Sequence, residues 1–81
     1  MEAKVAIITG SGKGIGRGIA TAYSENGYTV VIAEINAENG VSVAEEINSK
    51  GGKAFFIKTD ISRVDQIAAL MKDVYDSFGR I

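Results

Sequence analysis

A run of glycines and two carboxylates are the features of this chain with the clearest chemical use, and each follows a short apolar run. Residues 9–16 read Thr-Gly-Ser-Gly-Lys-Gly-Ile-Gly, with four glycines in the last seven positions. Glycine permits positive φ and lets the backbone approach a ligand closely. A helix that begins within such a segment offers unpaired N–H groups and a partial positive charge to a phosphate. Residues 9–16 therefore predict a phosphate-binding turn.

The spacing of these glycines separates several nucleotide-binding motifs. G-x-G-x-x-G does not fit, because it requires glycine where Ile15 or Arg17 stands. A P-loop does not fit either, because Gly14 rather than Ser or Thr follows Lys13. The pattern that fits is T-G-x-x-x-G-x-G, at Thr9, Gly10, Gly14 and Gly16. A turn that only tightens packing is the alternative, but a turn between a buried strand and a helix favours dinucleotide binding.

The two carboxylates extend this prediction to the adenosine of a dinucleotide. Glu34 lies 18 residues beyond Gly16 and closes the second apolar run, where a carboxylate can accept hydrogen bonds from both ribose hydroxyls. An ordinary exposed loop glutamate is the alternative. Asp60 ends the third run and is a candidate acceptor for the adenine amino group. It is equally a candidate cap for the next helix, since Ser62 and Asp65 cluster there.

Three apolar runs alternate with three segments of helical periodicity, which predicts an α/β fold of order βαβαβα. The runs at 4–9, 28–33 and 54–57 are continuous and β-branched or aromatic, as in strands buried on both faces of a parallel sheet. We expect one Rossmann-like half domain over residues 1–81, with strand order 3-2-1. The helical segments are predicted to carry the following residues on one face: Ile15, Ile19, Ala20 and Tyr23; then Gly40, Val43, Ala44 and Ile47; then an apolar stripe of Val64, Ile67, Leu70 or Met71, Val74, Tyr75 and Phe78.

Cap signals mark the helix ends. Asn26-Gly27 stops the first helix, and Asn36 is a plausible N-cap of the second. Ser62 and Asp65 predict a capping box at the start of the third, and Gly79 is a suitable residue to end it.

Composition excludes several functions. The chain has 81 residues, 9 basic and 10 acidic side chains, and neither Cys nor His. Disulfides, thiolate nucleophiles, Ser-His catalysis and the usual zinc ligands are therefore excluded, so we predict no catalytic and no metal-binding residue. The near-neutral charge argues against nucleic-acid and polybasic membrane binding. The N-terminal apolar run, 5–8, is shorter than a secretory or membrane-spanning segment requires, which predicts a cytoplasmic protein.

Together these residues resemble the N-terminal, cofactor-binding half of a short-chain dehydrogenase/reductase. The segments TGSGKGIG, VVIAEI and FIKTDIS stand in that family's order and spacing, similar to bacterial diacetyl/acetoin reductases and acyl-carrier-protein ketoreductases. The resemblance implies that full-length relatives transfer hydride between nicotinamide and a carbonyl or alcohol. It implies a cofactor site made of Gly10, Ser11, Gly12, Lys13, Gly14, Ile15, Gly16, Glu34, Ile35, Asp60 and Ile61.

Each matching position has an implied role. The glycines at 10, 14 and 16 shape the phosphate turn, residues 11–13 flank the adenosine ribose, and the N–H of Ile15 faces the pyrophosphate. Glu34 binds the ribose, while Asp60 and the N–H of Ile61 border adenine. We expect NAD to bind better than NADP, because a 2′-phosphate would meet the Glu34 carboxylate, although Lys13 is of a type that often accompanies NADP in this family.

The family's catalytic residues have no counterpart here. No N-N-A-G segment is present, and none of the three tyrosines has lysine four positions further on. The resemblance therefore predicts a first half that binds the dinucleotide, or its AMP moiety, without transferring hydride. A free-standing adenine-nucleotide-binding or interaction module is the alternative, as is a relic whose glycine turn serves only folding.

The predicted strand order also has consequences for assembly. It leaves the first strand at an edge of the sheet, without Pro or inward charge, and part of the third helix's apolar face bare. We expect a homodimer, formed by pairing the first strands or by exchanging the third helices. The alternative is a monomer with a rearranged helix.

Overall fold

The computed structural model describes residues 4–10 and 14–79. Strands and helices alternate in the order β1 (Val5–Thr9), α1 (Gly14–Glu25), β2 (Thr29–Glu34), α2 (Ala37–Ser49), β3 (Lys53–Lys58) and α3 (Val64–Phe78). The three strands form one parallel sheet in the order β1-β2-β3. The predicted Rossmann-like α/β architecture and strand order are therefore confirmed.

The central strand β2 carries both halves of the hydrophobic core. Val30, Val31 and Ile32 are fully buried. Because successive side chains of a strand point to opposite faces, Val30 and Ile32 pack under α1 and α2, while Val31 packs under α3. Burial on both faces explains why this run is continuously apolar instead of alternating.

Helix α2 forms as its sequence predicts. The side chain of Asn36 accepts a hydrogen bond from the Asn39 N–H at 3.0 Å, which satisfies one of the unpaired donors at the helix start. Its predicted inner face is buried at Gly40, Val43, Ala44 and Ile47. At the other end, the Asn48 amide binds both backbone polar groups of Ala54, at 2.9 and 3.0 Å, and so fixes the end of α2 to β3.

Helix α1 buries one residue of its predicted apolar face. Ala20 is fully buried, whereas Ile15 is 83% exposed, and Ile19 and Tyr23 are also exposed. Gly16, which is partly buried, is four residues before Ala20 and so shares its face of the helix. Helix α1 therefore contacts the core through Ala20 and leaves the larger members of its apolar face exposed.

One prediction for α3 requires correction. The capping box is absent: the N-cap is Arg63, which makes no side-chain cap bond, and the Ser62 hydroxyl donates to the Asp60 carboxylate. Because α3 begins one residue later than predicted, Ser62 precedes the cap position. Of the predicted apolar stripe, Leu70 and Val74 are buried, so the prediction that part of this stripe is bare is confirmed.

The exposed part of that stripe is extensive. Val64 is 80% exposed, and Tyr75, Met71 and Ile67 are exposed to lesser degrees. At the end of α3, Gly79 adopts φ 75° and donates its N–H to the carbonyl of Tyr75 at 2.7 Å, as predicted for a terminating glycine.

Candidate nucleotide-binding site

A cleft of about 220 Å³ opens at the carboxyl edge of the sheet, where all three parallel strands end. Ligands of open α/β sheets bind in this position. The lining residues come from the segments after β1, β2 and β3: Gly10, Ala33, Glu34, Ile35, Thr59, Asp60 and Ile61. The fold thus brings together five of the predicted site residues that are far apart in sequence.

Hydrogen bonds between neighbouring strand ends fix the floor of the cleft. The Gly10 N–H donates to the carbonyl of Ala33 at 3.2 Å, and the Thr59 N–H donates to the carbonyl of Glu34 at 3.0 Å. Both bonds continue the sheet's hydrogen-bonding beyond its last strand residues. The floor of the cleft is therefore formed by hydrogen-bonded ends of the sheet.

Two of the predicted glycines have conformations that require glycine. Gly10 has φ 62° and Gly14 has φ 65°, in the left-handed region that side chains disfavour. A Cβ added at either position would meet no described atom within 4 Å, so packing is not the reason for glycine there. The backbone conformation is one reason, and open space beside it suits a bound group. Ser11, Gly12 and Lys13 lie outside the described residues.

Helix α1 begins at Gly14, a few residues after Gly10 of the cleft, and its first turn contains no acidic residue. Ile15 and Gly16 lie in that first turn, as the motif requires; Ile15 is exposed and Gly16 is partly buried. Unpaired N–H groups and the helix dipole make this end of α1 suitable for a phosphate.

Glu34 is the last residue of β2, as predicted. Its Oε2 accepts a hydrogen bond from the Asn36 N–H at 3.1 Å, which restrains the carboxylate close to the start of α2. Ile35 and Ile61, on two neighbouring loops, are 55% and 54% exposed and line the same cleft. They give the cleft apolar surface beside its carboxylates, a combination suited to a flat base attached to a sugar.

Asp60 lies two residues beyond the end of β3, rather than at the strand end as predicted. Its Oδ1 accepts hydrogen bonds from the hydroxyl and the N–H of Ser62, at 2.6 and 3.0 Å. These bonds, with the nearby Arg63 charge, hold the pKa of Asp60 below the usual range of an aspartate. The carboxylate is therefore ionised at neutral pH and accepts hydrogen bonds only.

Sequence reasoning missed two residues of this region. Thr59 is buried and donates its hydroxyl to the carbonyl of Ile57 at 3.1 Å, so it shapes the cleft floor. Gln66, on α3, accepts a hydrogen bond from the Asp60 N–H at 2.7 Å. The only sequence signal for Gln66 was its place in the first turn of the helix after Asp60.

A second cleft, of about 270 Å³, lies between the C-terminal ends of α1 and α2. Its lining includes Glu46, which forms ion pairs with Arg17 and Lys50. In parallel topology this is the opposite end of the molecule from the carboxyl edge of the sheet. Its one positive-φ glycine, Gly51, follows α2 and does not lie between a strand and a helix N-terminus, and no strand-end carboxylate lines it. The cleft at the carboxyl edge is therefore the better candidate.

Among residues 4–10 and 14–79, no group of three or more acidic, cysteine or histidine side chains is arranged to hold a metal ion. Within the same residues, no helix combines the length and apolar character needed to cross a membrane.

A parallel sheet with helices on both faces and a cleft at its carboxyl edge defines the Rossmann-like class of α/β proteins. Within that class, the chain belongs to the short chain dehydrogenase family, whose sequence model matches residues 4–81. The resemblance noted in the sequence is therefore confirmed, and it covers nearly every residue.

Similar proteins of known sequence or structure are oxidoreductases. An uncharacterised oxidoreductase of Thermotoga maritima is 38% identical over 81 residues, which are 100% of this chain and 32% of that protein. A metagenomic short-chain oxidoreductase in complex with NADP superposes with a TM-score of 0.93 at 35% identity, over 99% of this chain and 36% of that one. A short-chain dehydrogenase/reductase of Burkholderia phymatum in complex with NAD superposes with a TM-score of 0.93 at 29% identity, over 99% of this chain and 28% of that one. The chain thus spans about a third of the length of these relatives.

Proposed function

We propose that these 81 residues form the nucleotide-binding half domain of an NAD(P)-dependent short-chain dehydrogenase/reductase. The whole protein transfers hydride between nicotinamide and a carbonyl or alcohol, chemistry that the nicotinamide ring supplies when bound. The observation that carries the proposal is the cleft at the carboxyl edge of the sheet. Glu34 and Asp60 line it, together with Gly10, a glycine of positive φ. The relatives described with bound NADP and with bound NAD add support.

The phosphates are assigned to the turn between β1 and α1. Gly10, Gly14 and Gly16 shape the turn, and the N–H of Ile15 in the first turn of α1 faces the pyrophosphate. The ribose side is assigned to residues 11–13. Negative charge is favoured here because the helix dipole and unpaired N–H groups converge, and α1 carries no acidic side chain in its first turn.

The adenosine is assigned to the loops after β2 and β3. Glu34 accepts hydrogen bonds from the ribose hydroxyls, with Ile35 beside it. Asp60 accepts from the adenine amino group, and Ile61 borders the ring with its N–H and its exposed side chain. Each assigned group has the polarity that its partner requires, since a carboxylate meets only donors.

NAD is the proposed cofactor in preference to NADP. The Glu34 carboxylate is restrained by its hydrogen bond with the Asn36 N–H, so it cannot leave the ribose side without losing that bond. A 2′-phosphate would place negative charge next to it, and like charges at close range are strongly disfavoured.

Binding and chemistry are divided in this proposal. The Ser and Tyr-x-x-x-Lys that resemblance assigns to catalysis have no counterpart in the chain. The 81 residues given therefore hold the adenosine half of the cofactor and transfer no hydride by themselves.

We also propose that the chain forms a homodimer, because β1 is an edge strand and Val64 and Met71 leave apolar surface uncovered on α3.

Calorimetric titration of the purified chain tests the proposed function. NAD and AMP should bind one competing site with similar affinity, because the assigned contacts are to adenosine and its phosphate. NADP should bind more weakly, and nicotinamide mononucleotide should not compete. A folded chain that binds no adenine nucleotide at millimolar concentration would contradict the proposal.

The native size of the gene product tests the alternative. A product about three times as long as this chain, like the relatives, favours a part of an oxidoreductase. A native product of 81 residues that binds AMP favours a free-standing adenine-nucleotide module.

A further inference from the structure

Gln66 lies in the first turn of α3, yet its side chain binds a group outside the helix. Its Oε1 accepts a hydrogen bond from the backbone N–H of Asp60 at 2.7 Å. The N-cap of α3 is Arg63, so this bond reaches three residues beyond the cap. A glutamine at the third helical position ordinarily binds the N–H of the cap itself. Here the bond instead joins α3 to the loop that borders the cleft.

The carbonyl and one carboxylate oxygen of Asp60 are also hydrogen-bonded within the same short segment. Its carbonyl accepts from the Arg63 N–H at 3.0 Å, and its Oδ1 accepts twice from Ser62. In the part of the chain that the structure describes, Oδ2 accepts no hydrogen bond. Asp60 therefore has its backbone and one carboxylate oxygen fixed by residues 62–66, with a single oxygen left for a ligand.

Among the residues that bind Asp60, Gln66 is the one that lies in a helix. Ser62 and Asp60 belong to the same loop, so bonds between them shape the loop but do not fix its position relative to the sheet. The bond from Gln66 does, because α3 is packed on the sheet through Leu70 and Val74. Without it, the partly buried Asp60 N–H would lose its acceptor, and the backbone would have to turn toward water.

We infer that Gln66 is a positioning residue for adenine recognition, since it holds the Asp60 backbone so that Oδ2 meets the adenine amino group. This inference rests on the proposed function, in which Asp60 borders adenine. It concerns one chemical feature, the donor at the six-position of the purine. Nicotinamide hypoxanthine dinucleotide carries an oxo acceptor at that position, which would face the carboxylate acceptor and lose the bond.

The test compares the dissociation constants of NAD and nicotinamide hypoxanthine dinucleotide for the unaltered chain, Gln66→Leu and Gln66→Glu. The unaltered chain should prefer NAD by about tenfold or more, the usual effect of a hydrogen bond to a charged group. Gln66→Leu should reduce that preference to about twofold, mainly because NAD binds more weakly. Gln66→Glu keeps an acceptor of the same length and should restore it. A general loss of stability would not change the ratio, because both ligands bind the same folded population.

Each contrary outcome has a distinct meaning. If the unaltered chain prefers NAD and both Gln66→Leu and the smaller Gln66→Ala retain that preference, the inference is overturned and the proposed function stands. Equal binding of the two dinucleotides by the unaltered chain would overturn the inference together with the proposed contact between Asp60 and the adenine amino group, whereas nucleotide binding at the cleft would stand. If the unaltered chain binds neither dinucleotide, the inference and the proposed function fail together. Gln66→Ala is the second variant because it removes the acceptor without adding an apolar side chain.

Discussion

The N–H of Thr59 donates to the carbonyl of Glu34 at 3.0 Å, one position beyond the last β2–β3 pair, Glu34 and Lys58. This bond fixes the relative positions of the loops that carry the two site carboxylates. Glu34 itself supplies the accepting carbonyl on β2, and Asp60 directly follows the donor Thr59 after β3. The separation of the proposed ribose-binding and adenine-binding carboxylates is thus set by the register of the sheet and not by two independent loops.

The carboxylate of Glu34 should determine the choice between NAD and NADP. Glu34→Ala removes both the acceptor for the ribose hydroxyls and the charge that opposes a 2′-phosphate. We expect NAD to bind about tenfold more weakly and NADP to bind as well or better, so the preference narrows or reverses. Calorimetry gives both constants. Glu45→Ala, an exposed α2 residue outside the cleft, is the matched control and should change neither. Tighter binding of NADP than NAD by the unaltered chain would refute the assignment.

Gly14→Val should abolish nucleotide binding. Valine is strained at φ 65°, and its side chain would enter the space assigned to the pyrophosphate. Gly27→Val is the matched control, because Gly27 has φ 86° and equally open surroundings but lies at the other end of α1. Both variants should lose a comparable amount of stability in urea unfolding, and only the first should lose affinity for AMP. Unchanged AMP binding by a folded Gly14→Val chain would show that the turn is structural only.

Gly40→Ala should destabilise the chain, although alanine is the better helix former. A Cβ at Gly40 would overlap the ring of Phe56, which packs against the core. Helix propensity favours alanine by about 1 kcal/mol, whereas overpacking costs about 1–3 kcal/mol, so the net effect is a loss. Gly18→Ala in α1 meets no neighbour and should be neutral or slightly stabilising. Urea unfolding of both variants measures the difference, and equal stability of the two would contradict the packing at Gly40.

The pKa of Asp60 should lie below the usual aspartate range and should rise toward it in Ser62→Ala, which removes one of the two bonds to Oδ1. Because the folded pKa is depressed, the stabilising contribution is present above the unfolded pKa of about 3.9 and is lost as pH falls through the lower folded value. Titration of the Asp60 carboxyl carbon by NMR measures the pKa in the unaltered chain and in Ser62→Ala. An identical pKa in the variant would exclude the Ser62 hydroxyl as the cause.

Self-association should be detectable by sedimentation equilibrium at high micromolar concentration, with twice the 8.5 kDa chain mass. Val64→Lys together with Met71→Lys charges the exposed stripe of α3 and should produce a monomer if that helix forms the interface. Continued dimerisation of this variant would assign the interface to the β1 edge. A monomeric unaltered chain under these conditions would contradict the proposed homodimer.

Much of the site was predictable because its residues follow strands, and strands are easily read from continuous apolar runs. Glu34 was placed at a strand end from the position where the apolar run stops, and the structure agrees. The need for glycine at Gly10 and Gly14 followed from the strand-turn-helix context. Asn36 was recognisable as a cap because capping depends on residues three apart. All of these features are local, so the chain carries them in a short window.

Two local predictions from the sequence, the cap of α3 and the apolar face of α1, differed from the structure. Ser62 had the right spacing to cap α3, but the helix begins one residue later, with Arg63 as its N-cap, and the Ser62 hydroxyl donates to Asp60. Ile15 and Ile19 had helical spacing, but both are exposed, and Ala20 is the buried residue of α1. Periodicity identifies an apolar stripe, whereas packing distance decides which part of it is covered.

The sequence by itself determined the alternation of strands and helices, the parallel order of the sheet and the glycine turn, because these follow from residue types over a few neighbouring positions. Only the tertiary structure decided that Thr59 belongs to the cleft and how Gly10, Glu34, Asp60 and Ile61 are arranged around it, since that depends on the register of the strands. It also decided that Gln66 reaches back to Asp60. The physical reason is that hydrogen bonds between elements are selected by how helices and strands pack, and a linear pattern does not contain those distances.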